Sequence, residues 1–159
     1  MLSIDGYPGY YSDPKSEFYK YTPNLNKLKE VSDFSNKITS VYPTMTYPAH
    51  TSMVTGVDPE IHRIRFNSPV DPFGKNLNGW MWYAEDIKVK TIADFAKTKN
   101  KKTASVYWPV TAGADIDFNI PQYWRGKNIE DEKILKLLST KGLYEEISQR
   151  TKIIVSEIT

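Results

Sequence analysis

The sequence predicts an α/β fold with a mostly parallel sheet covered by helices on both faces. Three observations predict it. Strand-like apolar segments at 2–4, 34–41 and 103–108 alternate with segments of helical period at 23–31, 48–55 and 91–97. The 159 residues fit one domain of ordinary size. The composition is 40% hydrophobic, 25% charged and 13% aromatic, which supports a buried core and excludes a disordered tail or a collagen-like repeat.

The elements follow in chain order. Leu2 to Ile4 reads as the end of a buried strand that stops at an Asp5-Gly6 turn. Residues 7–21 hold five tyrosines among Pro, Gly and Ser and read as an irregular loop. Thr22 suits a helix N-cap and Pro23 the first turn, and Leu25, Leu28 and Val31 then form one apolar face. Phe34 to Val41 contains β-branched residues in loose alternation, the pattern of a second strand. A turn over 43–47 leads into a short helix from Pro48 to Thr55, closed by Gly56.

Residues 65–86 combine Pro, Gly and Asn with Trp80, Trp82 and Tyr83, as a long loop or a hairpin would. The Trp80–Tyr83 run reads as core or cover. Thr91 to Lys97 is helical, the lysine-rich 97–102 run is its solvated end, and Thr103 to Trp108 is a strand stopped by Pro109. Glu130 to Leu138 and Leu143 to Gln149 read as helices, and Ile153 to Ile158 fits strand or helix equally. Three strands are few for a doubly wound sheet, and the last segment stops without a turn or cap. The chain is therefore expected to be one piece of a larger domain.

Several function classes drop out. With no cysteine there are no disulfides, thiolate metal sites, cysteine nucleophiles or cysteine-derived sulfatase centres. A net charge of +2 gives no pull toward nucleic acid or membrane surfaces. No apolar run approaches the roughly 18 residues that span a bilayer. No signal peptide is visible, and Met1 leads straight into a strand-like segment, as expected where a leader has already been removed. Neither GxxxxGK[ST] nor GxGxxG occurs.

Three residues suggest chemistry. Asp5 ends a strand, where α/β proteins place ligands. Thr46 lies just before a helix, so its hydroxyl and the following amides are expected to meet at a helix N-terminus suited to phosphate. Asn67, in a loop, offers an amide donor to a developing oxyanion. Taken from spacing alone, each has a plainer reading: Asp5 as a turn former, Thr46 as an N-cap, Asn67 in an Asx turn. His50 and His62 read as structural.

The strings Ser3-Ile4-Asp5-Gly6, Thr22-Pro23-Asn24-Leu25, Tyr42-Pro43-Thr44-Met45-Thr46-Tyr47-Pro48-Ala49-His50, Val54-Thr55-Gly56 and Pro59-Glu60-Ile61-His62 stand in the order of the type I phosphodiesterase/nucleotide pyrophosphatase family, which this chain resembles over residues 2 to about 148. The runs at 80–87, 108–110 and 120–125 resemble its bacterial members. The resemblance implies an alkaline-phosphatase-like α/β/α sandwich, present here as its N-terminal portion across 1–159 with the downstream half absent. It also implies a metal-dependent hydrolase of phosphodiester or pyrophosphate bonds. In this reading Thr46 is the nucleophile that forms a covalent phosphothreonine. Asp5 and Thr46 are ligands of one of two divalent metals, normally zinc. Asn67 holds a non-bridging phosphate oxygen, and Tyr47 lines the leaving-group pocket by stacking on a base. A hydroxyl is a weak nucleophile near neutral pH, so such activation is chemically required.

The remaining metal ligands of the family lie downstream. Zinc takes four ligands, so Asp5 and Thr46 alone are expected to bind it weakly or not at all, and this chain alone to be inactive. The implied partner is a nucleotide or other phosphodiester small molecule, with no nucleic acid polymer and no membrane span. Apolar surface left uncovered is expected to favour self-association. A periplasmic or extracellular home follows from the family. The alternatives are phosphonate or phosphomonoester hydrolysis in the same superfamily, and a non-catalytic module that kept the fold. Two departures from the family pattern stand out. Ala49 replaces the usual Asn and removes local hydrogen bonding. Arg63 replaces the usual Gly after His62 and implies a different turn.

Overall fold

A computed structural model describes residues 1–35, 37–75, 79–125 and 129–151. The segment at 153–158 lies outside the described residues. The chain divides into two compact units, Met1–Ser40 and Val41–Thr159.

In the first unit Leu2–Ile4 is not a strand: Leu2 is 83% exposed, and the chain turns at Asp5-Gly6, with Gly6 at φ 68°. The described part of Phe34–Val41 is also irregular, with Ile38 fully in solvent. The reason is the same for both. A strand exists by hydrogen-bonding to a neighbour, and among the described residues neither segment joins a sheet. A turn of 3₁₀ helix spans Gly9–Ser12 and another Tyr19–Tyr21. Helix α1 (Pro23–Glu30) starts where Pro23 predicts. Thr22 occupies the N-cap position, yet its hydroxyl turns to the Tyr19 and Tyr11 carbonyls instead of capping an amide. The expected apolar face of α1 stays in solvent at Leu28 and Val31. The buried residue is Asn26, whose Nδ2 donates to the Tyr19 carbonyl at 2.7 Å.

The second unit holds the core. Helix α2 (Thr46–Thr55) begins two residues before the expected Pro48 and ends at Gly56, whose φ of 72° gives the left-handed C-cap. The short α3 (Pro59–His62) follows. The described residues of the 65–86 stretch form turns and loop with no hairpin ladder among them. Tyr83 instead bridges Ala112 in parallel, with Ala84 N–H donating to the Ala112 carbonyl at 2.9 Å. Helix α4 (Ile92–Thr98) starts on a capping box between Thr91 and Asp94.

Strand β1 (Ala104–Val106) occupies the middle of the expected 103–108 strand. It pairs in parallel with β2 (Phe118–Ile120), a strand absent from the sequence reading because it is three residues long and lies between Asp117 and Pro121. The register sets Ala104 opposite Phe118 and Val106 opposite Ile120. Helices α5 (Ile129–Leu138) and α6 (Leu143–Thr151) pack on β2. Helices around a short parallel pair make this an α/β fold, consistent with an incomplete alkaline-phosphatase-like sandwich. The sheet has two strands among the described residues.

The core joins Tyr47, Ile64, Trp82, Val110, Ile120, Tyr123, Leu135 and Tyr144, drawn from α2, α5, α6, β2 and the loops between. Trp82 packs on Tyr123 with ring centroids 4.5 Å apart, so the Trp80–Tyr83 run does supply core. Among the described residues no helix is long and apolar enough to cross a membrane.

Candidate functional site

Thr46 is the first residue of α2, half-buried, preceded by Met45 in extended conformation. A helix N-terminus leaves its first amides without intrahelical partners. Here the sequence itself removes most of them. Pro48, the third residue, has no N–H. Ala49 N–H donates to the Met45 carbonyl at 3.0 Å. Tyr47 N–H donates to Asn67 Oδ1 at 2.9 Å. The amides of Tyr47 and Ala49 are thus bonded within the fold, and Pro48 offers none. The helix dipole and the Thr46 and Asn67 side chains sit at this end of α2.

Asn67 is fixed at two points. Its carbonyl accepts from Met81 N–H at 2.7 Å, and its Oδ1 accepts from Tyr47 N–H. With Oδ1 committed, the planar amide presents Nδ2 as its donor. Twenty residues separate Asn67 from Tyr47, and the structure brings the two together beside Thr46.

Tyr47 points the other way. Its ring is fully buried and meets Trp80 edge-on at 5.3 Å. Burial pushes its phenol well above the usual range. A base stacking on this ring would first have to displace Trp80. In this arrangement the Tyr47 ring anchors α2 in the core, and its backbone amide bonds to Asn67.

Both histidines are committed. His50 Nδ1 lies 2.7 Å from the Thr46 carbonyl, which can only accept, so Nδ1 carries the proton. Its ring stands edge-on to Trp108 at 5.1 Å. His62 is fully buried. Its Nδ1 accepts from Ile64 N–H at 3.1 Å and its Nε2 lies 2.9 Å from Ser52 Oγ. Desolvation lowers its pKa, which keeps the ring neutral. Arg63, beside it, takes φ 74° and ψ −1°, the left-handed conformation that Gly would adopt. Arg63 thus holds a left-handed conformation that glycine adopts without the steric cost of a side chain.

Asp5 sits in the exposed Asp5-Gly6 turn of the first unit, Thr46 in the second. Among the described residues no group of three or more His, Asp or Glu side chains comes together. Zinc takes four ligands. Asp5 and Thr46 are two oxygen donors of the kind zinc accepts, and a full set takes ligands beyond these two. Sequence reasoning singled out Thr46 and Asn67 but missed their link through the Tyr47 amide, and missed the two bonds of His62. The five-residue step from His62 to Asn67 was the available signal.

Comparison with known proteins agrees. Residues 1–154 match the family model for type I phosphodiesterase / nucleotide pyrophosphatase. The human ectonucleotide pyrophosphatase/phosphodiesterase family member 1 is 30% identical over 151 residues, covering 87% of this chain and 15% of that protein. The rat family member 3 is 33% identical over 128 residues, covering 75% of this chain and 13% of that protein. The venom phosphodiesterase of Naja atra is 28% identical over 127 residues, 75% of this chain and 14% of that protein. The chain thus spans about one-seventh of the length of the relatives it matches. With the family model matching residues 1–154 and a relative 30% identical across 87% of it, the chain belongs to the type I phosphodiesterase/nucleotide pyrophosphatase family.

Proposed function

We propose that this chain is the N-terminal portion of a catalytic domain that hydrolyses phosphodiester or pyrophosphate bonds, with Thr46 as nucleophile. Thr46 Oγ forms a bond to phosphorus, the bond from phosphorus to the leaving oxygen breaks, and the proton lost by the hydroxyl ends on the leaving alcohol or nucleotide. Water then cleaves the Thr46 Oγ–P bond, restoring the hydroxyl and releasing a phosphomonoester. Asn67 Nδ2 donates to a non-bridging oxygen as charge builds there. The α2 dipole favours the same charge.

The observation that supports the reading is the 2.9 Å bond from Tyr47 N–H to Asn67 Oδ1, because it holds the Asn67 amide beside the first turn of α2, where Thr46 sits. The family implies two divalent ions, zinc first among them. Asp5 and Thr46 are the residues of this chain that would serve as ligands, the rest of the set coming from elsewhere in the protein. The substrate class is a nucleotide or other small phosphodiester. The relatives' names, ectonucleotide and venom, favour an extracellular or periplasmic home.

In the full-length protein Thr46→Ala should abolish turnover of a p-nitrophenyl nucleotide diester. Asn67→Ala should slow it about 10²–10³-fold, the usual loss for one oxyanion donor. Thr46→Ala turnover near wild type would overturn the nucleophile. Faster turnover of p-nitrophenyl phosphate or of a phosphonate than of the diester would move the substrate class.

A further inference from the structure

The segment 62–67 is tied to α2 at both ends. At one end the His62 ring bridges Ser52 Oγ, at 2.9 Å, and Ile64 N–H, at 3.1 Å. At the other, Asn67 Oδ1 receives Tyr47 N–H. Ser52 and Tyr47 are five residues apart on one helix, about 7.5 Å along its axis. Between the two ties, Ile64 is fully buried in the core. The His62 carbonyl also accepts Lys88 N–H at 3.1 Å, which fixes the residue's backbone.

The bonding partners specify one tautomer. An amide N–H can only donate, so Nδ1 must bear a lone pair, and the proton of the neutral ring sits on Nε2, which faces Ser52 Oγ and the Pro48 carbonyl, both on α2. A side chain with only one of these two bonds would lose the ring's link between α2 and the turn.

We propose that His62, as its neutral Nε2–H tautomer, is a positioning residue that sets the segment carrying Asn67 against the helix carrying Thr46. It touches no reacting atom. It acts through the Ile64 amide and the turn that follows, and so determines where Asn67 Nδ2 stands. This rests on the function proposed above. Desolvation of the ring supports the neutral form.

The test is a double-mutant cycle in the full-length protein, assayed with the p-nitrophenyl nucleotide diester. His62→Gln keeps a polar end near Ser52 and removes the acceptor for Ile64. It should lower kcat about 10–100-fold, the usual result of misplacing a positioned group, with little change in KM. In the Asn67→Ala background the same substitution should cost less than about 2-fold, because the group it positions has gone. Ser52→Ala, a milder change that leaves the turn bond intact, should lower kcat in the same direction and be absorbed in the same way; it decides the matter if His62→Gln does not fold. Losses that multiply in full upon Asn67→Ala, or a folded His62→Gln with wild-type kcat, overturn the proposal. Thr46→Ala runs alongside: its retained activity would sink the hydrolase reading itself, whereas a dead Thr46→Ala with multiplicative His62 losses would sink only the positioning role.

Discussion

The first unit, Met1–Ser40, and the second, Val41–Thr159, are both rich in aromatic residues, and they use them differently. In the first, the ring contacts join near neighbours in sequence: Tyr7 with Tyr11, Tyr10 with Tyr11, and Tyr11 stacked on Phe18 at 4.9 Å. In the second, they join distant segments: Tyr47 with Trp80, Trp80 with Trp124, Trp82 with Tyr123. Tyr10 remains 55% exposed, whereas Tyr47 is at 0% and Trp82 at 3%. Local ring contacts leave water on most faces. Removing apolar area from water takes several segments closing around one side chain. The first unit has one fully buried residue among those described, Asn26; the second has the entire core.

The contrast can be broken by truncating one aromatic in each unit. Trp82→Ala should cost about 3–5 kcal/mol, the usual loss for a large core aromatic. Tyr11→Ala should cost no more than about 1 kcal/mol, the scale of an aromatic pair. Urea unfolding followed by tryptophan fluorescence reads the second unit selectively, because all four tryptophans lie there. Equal shifts of the midpoint for the two variants would mean that unfolding of the second unit is coupled to that of the first.

The same contrast explains which elements were legible in the sequence. Helices were, since caps and periodicity act within one segment: Gly56 closes α2, Pro23 opens α1, and α5 and α6 sit where their patterns place them. Strands were not, since pairing depends on a partner elsewhere. Leu2–Ile4 and Phe34–Val41 have strand-like residues and join no sheet among the described residues, while Phe118–Ile120 has a weak local signal and a parallel neighbour. Thr46 and Asn67 were legible as residue types suited to phosphoryl transfer. The bond through the Tyr47 amide and the tautomer of His62 were not, because each depends on segments meeting across ten or twenty residues.

Acid sharpens the comparison. His62 has its pKa lowered by burial, with Asp58 the charged neighbour that opposes the shift. The unfolded chain therefore binds the His62 proton more readily than the folded one. The resulting stability is whole above the ordinary histidine value of 6.5 and declines as pH falls below it. Asp117 is held far below the usual carboxylate range by Lys102 Nζ at 2.9 Å and by Thr103 N–H. Its contribution is present above the ordinary carboxylate value of 3.8 and declines only below it. Urea midpoints measured from about pH 7.5 downward should fall in two steps. His62→Gln should erase the step nearer neutrality and spare the lower one. A first step that survives His62→Gln would assign it to another group.

The smallest expected effect lies in backbone strain. In the first unit the positive-φ residue among those described is Gly6, whereas the second unit holds Arg63, Asn100, Tyr107 and Val110 in that region. A left-handed L-residue costs about 1–2 kcal/mol and persists where surrounding structure over-determines it. Arg63 is exposed at φ 74°, and its conformation is imposed by the Arg63 N–H bond to the Pro59 carbonyl at 3.0 Å and by His62 beside it. Arg63→Gly should relieve the strain, offset in part by the larger entropy of an unfolded glycine. The expected net gain is about 0.5–1 kcal/mol, with turnover unchanged because the turn is kept. Val110 supplies the opposite sign: it is fully buried at φ 58°, so Val110→Gly relieves strain but opens a cavity and should destabilise. If Arg63→Gly lowered the urea midpoint, the arginine side chain would have to be making a favourable contact of its own, and the turn would owe its shape to that contact and not to the His62 bonds.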